Sequence, residues 1–245
     1  MPTYNTLLFD CDNTLVLSEH LAFEACADMF NQICSDHNLP DRFTGSTLIK
    51  KFVGQNFRGM LSTLQAENNF TIPPDELEGY VAQEEVAVIA KLRSGLKPCE
   101  GVDAELERLS REGKYKLAVV SSSAIRRVIA SVEIVGQDKY FPKDFIYSAA
   151  SSLPKPTSKP DPAVYLWALD KLGSKAEESI AIEDSRSGTL SGTRAGIKVV
   201  GYVGPYEAEE QEKMVETLTE AGAVVIMRHW SEFPAILEKF QNGTI

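Results

Sequence analysis

Apolar positions along this chain follow two periods, and the change between them outlines the fold. Leu7-Leu8-Phe9 is an apolar run that stops at Asp10-Cys11-Asp12-Asn13-Thr14. A short run bounded by polar residues predicts a buried strand, central in a parallel sheet. The period then becomes helical over residues 18–37, where Leu21, Ala25, Met29 and Ile33 form one stripe, with Ala22, Cys26, Phe30 and Cys34 beside it. Further helices are predicted over residues 44–53, 56–68 and 73–92, the last opened by Pro73-Pro74 and by Asp75-Glu76. Residues 17–95 carry no strand pattern.

Beyond Gly95 strands and helices alternate. Strands are predicted at 116–120, 145–147, 179–182, 198–203 and 223–227, and helices at 103–112, 124–134, 161–172, 187–195, 207–221 and 231–240. That alternation predicts an α/β fold, a Rossmann-like doubly wound parallel sheet. An all-helical domain is inserted just after its first strand. The expected division is a core of residues 1–15 and 96–245 with a helical cap of residues 16–95.

The carboxyl ends of a parallel sheet lie on one edge, where open α/β sheets place their ligands. Four polar clusters fall there: Asp10 with Asp12, Ser121, Lys159 after its loop, and Glu183 with Asp184. Two carboxylates as close as Asp10 and Asp12 repel unless a cation lies between them or one takes a proton. Carboxylate oxygens are the hard ligands that Mg²⁺ selects, and a lysine and a hydroxyl suit phosphoryl oxygens. The set therefore supports phosphoryl transfer. In that chemistry Asp10 would attack phosphorus in line, and Asp12 would protonate the leaving alkoxide and later deprotonate water. Ser121 and Lys159 would hold the phosphoryl oxygens, and Glu183 and Asp184 the metal.

Composition narrows the partners. A net charge of −10 argues against a nucleic-acid surface and against anionic membrane, so an anionic substrate must be met by a local cation. Cys11, Cys26, Cys34 and Cys99 match no zinc spacing and read as buried free thiols of a reducing compartment. The start, Met1-Pro2-Thr3-Tyr4, has neither a basic segment nor a long apolar one, and no run reaches the length of a membrane span. A cytoplasmic monomer acting on a small phosphorylated metabolite is expected.

Taken in order, Asp-x-Asp-x-Thr at Asp10, Ser121 at a strand end, Lys-Pro-x-Pro at Lys159 and Glu183-Asp184-Ser185 resemble the haloacid dehalogenase-like superfamily. The helical insertion after the first motif resembles its subfamily of beta-phosphoglucomutase and small sugar-phosphate phosphatases. The resemblance covers the whole chain, and the 24 residues from Lys159 to Glu183 fit the family's spacing. It implies Asp10 as nucleophile and Asp12 as general acid/base. It also implies Mg²⁺ on the side chains of Asp10 and Asp184 and the backbone carbonyl of Asp12, with Glu183 assisting. One departure is Asn13, where the family usually has Gly; Asn tolerates unusual backbone angles better than other non-glycine residues, so the turn can still form.

Hydrolysis is expected over the mutase reaction. Where the mutase resemblance wants Lys before Gly54 and Arg three residues after it, this chain has Val53 and Phe57, with Arg58 one position out of register. Dehalogenation, which dispenses with the second acid, and a non-catalytic binding role both fit the intact acids less well. Candidate substrate-binding residues are Ser122, His20, Asn56 and Arg58. Their amide and cationic character suits a sugar, sugar-acid or polyol phosphate. Tyr165, Trp167 and Trp230 are expected to be packing residues, and Cys11 to point away from the acids.

Overall fold

β-branched and leucine-rich runs make the strands, and an amphipathic helix returns the chain after almost every one of them. The computed structural model describes residues 4–52 and 56–245. Their elements are β1 (Thr6–Phe9), α1 (Glu19–Asp36), α2 (Gly45–Lys51), α3 (Phe57–Asn68), α4 (Pro74–Gly95), α5 (Val102–Glu112), β2 (Lys116–Ser121) and α6 (Ile125–Ile134). There follow β3 (Ile146–Ser148), α7 (Ala163–Leu172), β4 (Ser179–Glu183), α8 (Arg186–Arg194), β5 (Lys198–Tyr202), α9 (Ala208–Glu220), β6 (Ala223–Met227) and α10 (Phe233–Gln241).

Contacts divide the chain into two compact units, Met1–Leu17 with Lys97–Ile245, and Ser18–Leu96. Val16 bridges to Asp12 and to Pro98, and the Leu17 N–H donates to the Lys97 carbonyl at 2.9 Å. Those bonds keep Val16 and Leu17 with the first unit.

The first unit is built on a six-stranded sheet of order β3-β2-β1-β4-β5-β6, with every pairing parallel. β1 is central. Leu8 pairs with Ala118 on one side and Ala181 on the other, and the Asp10 N–H extends the ladder to the Ile182 carbonyl at 3.0 Å. Alternation along β1 sends neighbouring side chains to opposite faces. Leu8 packs in a cluster with Ala118, Val120, Val164, Tyr165 and Ala181. Phe9 meets Phe141 edge to face (5.7 Å between ring centroids) and Trp230 at 6.0 Å, and Trp230 is fully buried. This is the doubly wound α/β architecture expected.

The second unit holds α1 to α4, with no strand among its described residues. Phe30 sits at its centre against Phe43, Phe52 and Phe57, with ring centroids 5.5–5.6 Å apart. Thr44 and Thr47 form a capping box on α2, and Asn56 caps α3.

Differences from expectation are local. Residues 231–240 divide into a 3₁₀ turn, Trp230–Glu232, and α10, whose first turn carries Pro234. A proline there supplies no N–H and suits a helix start rather than its interior. Short 3₁₀ turns also precede β3 and β4. All four cysteines are buried thiols outside any disulfide, and among the described residues no helix is long and apolar enough to cross a membrane.

Phe9 joins the central strand to the aromatic layer beneath it. Phe9→Ala is expected to destabilise the protein by roughly 3–5 kcal/mol, read from urea unfolding, and a loss below about 1 kcal/mol contradicts this placement.

Candidate functional site

The order β2-β1-β4 brings three strand ends side by side, and each delivers polar groups. Asp10 follows β1; Glu183 ends β4 and Asp184 follows it; Ser121 ends β2. Asp10, Glu183 and Asp184 are all buried, and each offers a carboxylate oxygen within 4.8 Å of the other two. Lys159 arrives from the loop between β3 and α7. Its ammonium donates to Asp10 Oδ1 and to Glu183 Oε1, both at 2.6 Å, and to the Val120 carbonyl at 2.7 Å. An ammonium has three N–H donors, and these bonds use all of them. Ser122 Oγ accepts the Lys159 backbone N–H at 3.1 Å, so Ser122 anchors the lysine's loop in addition to standing next to Ser121.

Burial by itself would push the Lys159 ammonium down, but the carboxylates of Asp10 and Glu183 outweigh it and hold the group above its ordinary value. Lysine therefore stays charged. Asp10 is pushed up to about 7, chiefly by burial; Lys159 pulls the other way, and Glu183 and Asp12 add to the rise. Three buried carboxylates against one ammonium leave negative charge uncompensated when all are ionised. Buried charge of that kind is costly without a partner.

A divalent cation fits this arrangement on a specific atom. Glu183 Oε2 is buried and has no hydrogen-bond partner among the described residues. Gly188, in the first turn of α8, makes room for it: a Cβ there would lie 1.7 Å from that oxygen. Two further donors fix the acids. Tyr165 donates to Glu183 Oε1 at 2.6 Å, and Tyr206 donates to Asp184 Oδ2 at 3.0 Å. Thr14 Oγ1 lies at 3.5 Å from Asp184 Oδ1. Tyr165 was expected only to pack. It packs and also spends its hydroxyl on the site, because a buried phenol needs an acceptor.

Asp12 occupies different surroundings from Asp10. Its carboxylate accepts Ser123 Oγ–H at 2.6 Å and the Arg127 guanidinium at 2.9 Å, and about a quarter of the side chain is exposed (26%). Directly after Asp12, Asn13 adopts φ 57°, the left-handed conformation that its amide side chain tolerates. Cys11 is buried, and burial together with Asp12 and Asp10 pushes its thiol far above the ordinary value, which leaves it a packing group. Ser121 Oγ accepts the Ser123 N–H at 3.0 Å. Ser123, Arg127 and Tyr206 escaped the sequence reading. Ser123 was the easiest of these to find, standing two residues after Ser121 in the same strand-end loop.

The remaining candidates lie in the helical unit, each with a local partner. His20 is exposed and pairs with Glu24 at 2.8 Å, and Glu24 also pairs with Lys91 at 2.8 Å. Asn56 Oδ1 accepts the Gly59 N–H at 2.9 Å as the cap of α3. Arg58 is bound through both terminal nitrogens to Glu78, at 2.5 and 2.8 Å. Val53, Gly54 and Gln55, the rest of that segment, lie outside the described residues.

Comparison with known proteins agrees with this geometry. The sequence profile of a family described as haloacid dehalogenase-like hydrolase matches residues 7–202. A phosphorylated carbohydrates phosphatase of Thermotoga maritima is 26% identical over 222 residues, 91% of this chain and 93% of that protein. A 6-phosphogluconate phosphatase of Escherichia coli is 28% identical over 199 residues, 81% of this chain and 82% of that one. A hydrolase of this family from Deinococcus radiodurans, crystallised with bound phosphate and sodium, superposes with a TM-score of 0.68 at 25% identity, covering 98% of this chain and 97% of its own.

A cation held by Asp10 would have to compete with the proton that this raised carboxyl keeps up to about pH 7. Apparent Mg²⁺ affinity is therefore expected to climb as pH rises, by up to about tenfold per unit, and to flatten above neutrality. Calorimetric titration across that range checks this, and an affinity already flat on the acid side of neutrality contradicts it.

Proposed function

The chain belongs to the haloacid dehalogenase-like hydrolase family, and on that premise we propose that it is a magnesium-dependent phosphatase of small phosphomonoesters. The observation that carries this reading is the buried trio Asp10, Glu183 and Asp184, with Lys159 bridging the first two. In this reading Asp10, Glu183 and Asp184 hold Mg²⁺, together with the Asp12 carbonyl. The cation, when bound, offsets charge on the phosphoryl oxygens and keeps Asp10 ionised.

The rest of the chemistry belongs to side chains. The Asp10 carboxylate attacks phosphorus in line, and the bond to the ester oxygen breaks. Asp12 gives that departing oxygen a proton. Water then attacks the aspartyl-phosphate as Asp12 takes a proton back, releasing inorganic phosphate and restoring Asp10. Ser121, whose oxygen accepts the Ser123 N–H, keeps its own hydrogen to donate to a phosphoryl oxygen. Lys159 stays protonated throughout and holds Asp10 by one oxygen.

Two observations favour hydrolysis over a phosphosugar mutase. A mutase must grip a second phosphate with cationic cap residues, and Arg58 is committed to Glu78 through both of its terminal nitrogens. Phe57, in the position where a mutase would want arginine, is buried in the helical unit against Phe30. The curated relatives that act on phosphorylated carbohydrates and on phosphogluconate support a sugar, sugar-acid or polyol phosphate as substrate.

Phosphate release from a panel of sugar, sugar-acid, polyol and isoprenoid phosphates, with and without Mg²⁺, tests the proposal. Conversion of glucose-1-phosphate to glucose-6-phosphate without release hands the case to the mutase. Asp10→Asn is expected to abolish turnover of every substrate, and unchanged turnover overturns the catalytic assignment. Asp12→Ala is expected to slow sugar-phosphate hydrolysis by about 10²–10⁴-fold. It should slow formation of the intermediate from p-nitrophenyl phosphate far less, because that leaving group needs no proton. Equal losses in that single-turnover step argue against Asp12 as general acid.

A further inference from the structure

Glu183 and Asp184 each have one oxygen taken by a tyrosine hydroxyl. Tyr165, on α7 and fully buried, donates to Glu183 Oε1 at 2.6 Å, the same oxygen that receives Lys159 Nζ at 2.6 Å. Tyr206, in the loop between β5 and α9, donates to Asp184 Oδ2 at 3.0 Å and lies 3.2 Å from that residue's carbonyl oxygen. Packing alone does not account for these hydroxyls. A phenylalanine would fill the same space, and burying a phenol O–H costs free energy unless it finds an acceptor.

The consequence is an asymmetry within one carboxylate. Among the described residues Glu183 Oε1 has two donors, whereas Oε2, also buried, has none. A carboxylate gripped twice at one oxygen cannot turn about its last torsion, so its second oxygen keeps a fixed direction. The Lys159 ammonium cannot supply both bonds, since its other two N–H groups go to Asp10 Oδ1 and the Val120 carbonyl. Tyr165 also stacks beneath that ammonium, with Nζ 5.3 Å from the ring centroid.

We propose that Tyr165 and Tyr206 are positioning residues that fix the orientation of Glu183 and Asp184 as carboxylates for a divalent cation. The inference rests on the metal-dependent reading above. Hydrogen bonds to ligating carboxylates fix their orientation and raise cation affinity, and their loss commonly costs about 10–100-fold in binding.

Tyr165→Phe and Tyr206→Phe, made in the full chain, remove the hydroxyls and keep the rings. Calorimetric titration with MgCl₂ alone is expected to give a dissociation constant about 10–100-fold weaker in each variant. The thermal midpoint of the metal-free protein should stay near that of the parent. In steady-state assays the lost rate should return at saturating Mg²⁺ with the substrate KM unchanged. A dissociation constant unchanged in both variants overturns the proposal. So does a rate loss that saturating Mg²⁺ fails to restore, which gives the tyrosines a structural role. Should the buried position not tolerate phenylalanine, Tyr206→Phe, at a partly exposed residue, decides alone by the same criteria. Failure of the parent protein itself to bind Mg²⁺ overturns the metal-dependent reading instead, so the two failures are separable.

Discussion

The ammonium of Lys159 holds the strand ends of this fold together. It sits between Asp10 and Glu183, 2.6 Å from an oxygen of each, in a place nearly closed to solvent. Removing one partner from such a buried pair typically costs about 3–5 kcal/mol, because the charge left behind has lost its water as well. The loop that carries the lysine is fastened accordingly. Ser122 Oγ receives its backbone N–H, and the Val120 carbonyl receives the third ammonium hydrogen.

That arrangement depends on the sheet more than on any loop. With β1 between β2 and β4 in parallel register, Asp10 and Glu183 emerge from neighbouring strands at one level, with Ser121 one residue beyond. The buried residues of β1 and β4, Leu7, Leu8, Phe9, Ile180, Ala181 and Ile182, leave those strand ends little freedom to move. A rigid apolar base can carry concentrated charge at its edge, where a flexible loop would relax and disperse it.

Much of this was legible in the chain because strand-end acids announce themselves by interrupting apolar runs. Asp10, Glu183 and Asp184 could be found by that rule, and Lys159 by its Lys-Pro-x-Pro setting and its distance from Glu183. Tyr165 was hidden because a tyrosine on the apolar stripe of α7 looks the same whether its hydroxyl meets an acid or nothing. Tyr206 and Arg127 lie where the sequence gives no periodic signal for contact with residues more than 20 or 100 positions away. In the helical unit the polar side chains of Asn56, Arg58 and His20 were read for what they could bind. Each has a nearby partner, a helix-capping N–H for Asn56 and a carboxylate for both Arg58 and His20. Local bonds of this kind compete for any polar residue near a helix end, and no motif records them.

Asp10 and Asp12 show how two like groups two residues apart come to differ. The proposed chemistry asks a nucleophile to keep one protonation state and one direction through both half-reactions. It asks an acid/base to change protonation twice. Asp10 is buried, with one oxygen fixed by an ammonium that stays charged. Asp12 is a quarter exposed and held by a hydroxyl and a guanidinium from another part of the chain. Those environments separate the roles, with Asp10 fixed in direction beside a charged ammonium and Asp12 partly open to solvent. Each acid has its own cation, Lys159 for Asp10 and Arg127 for Asp12, so the two need not share one.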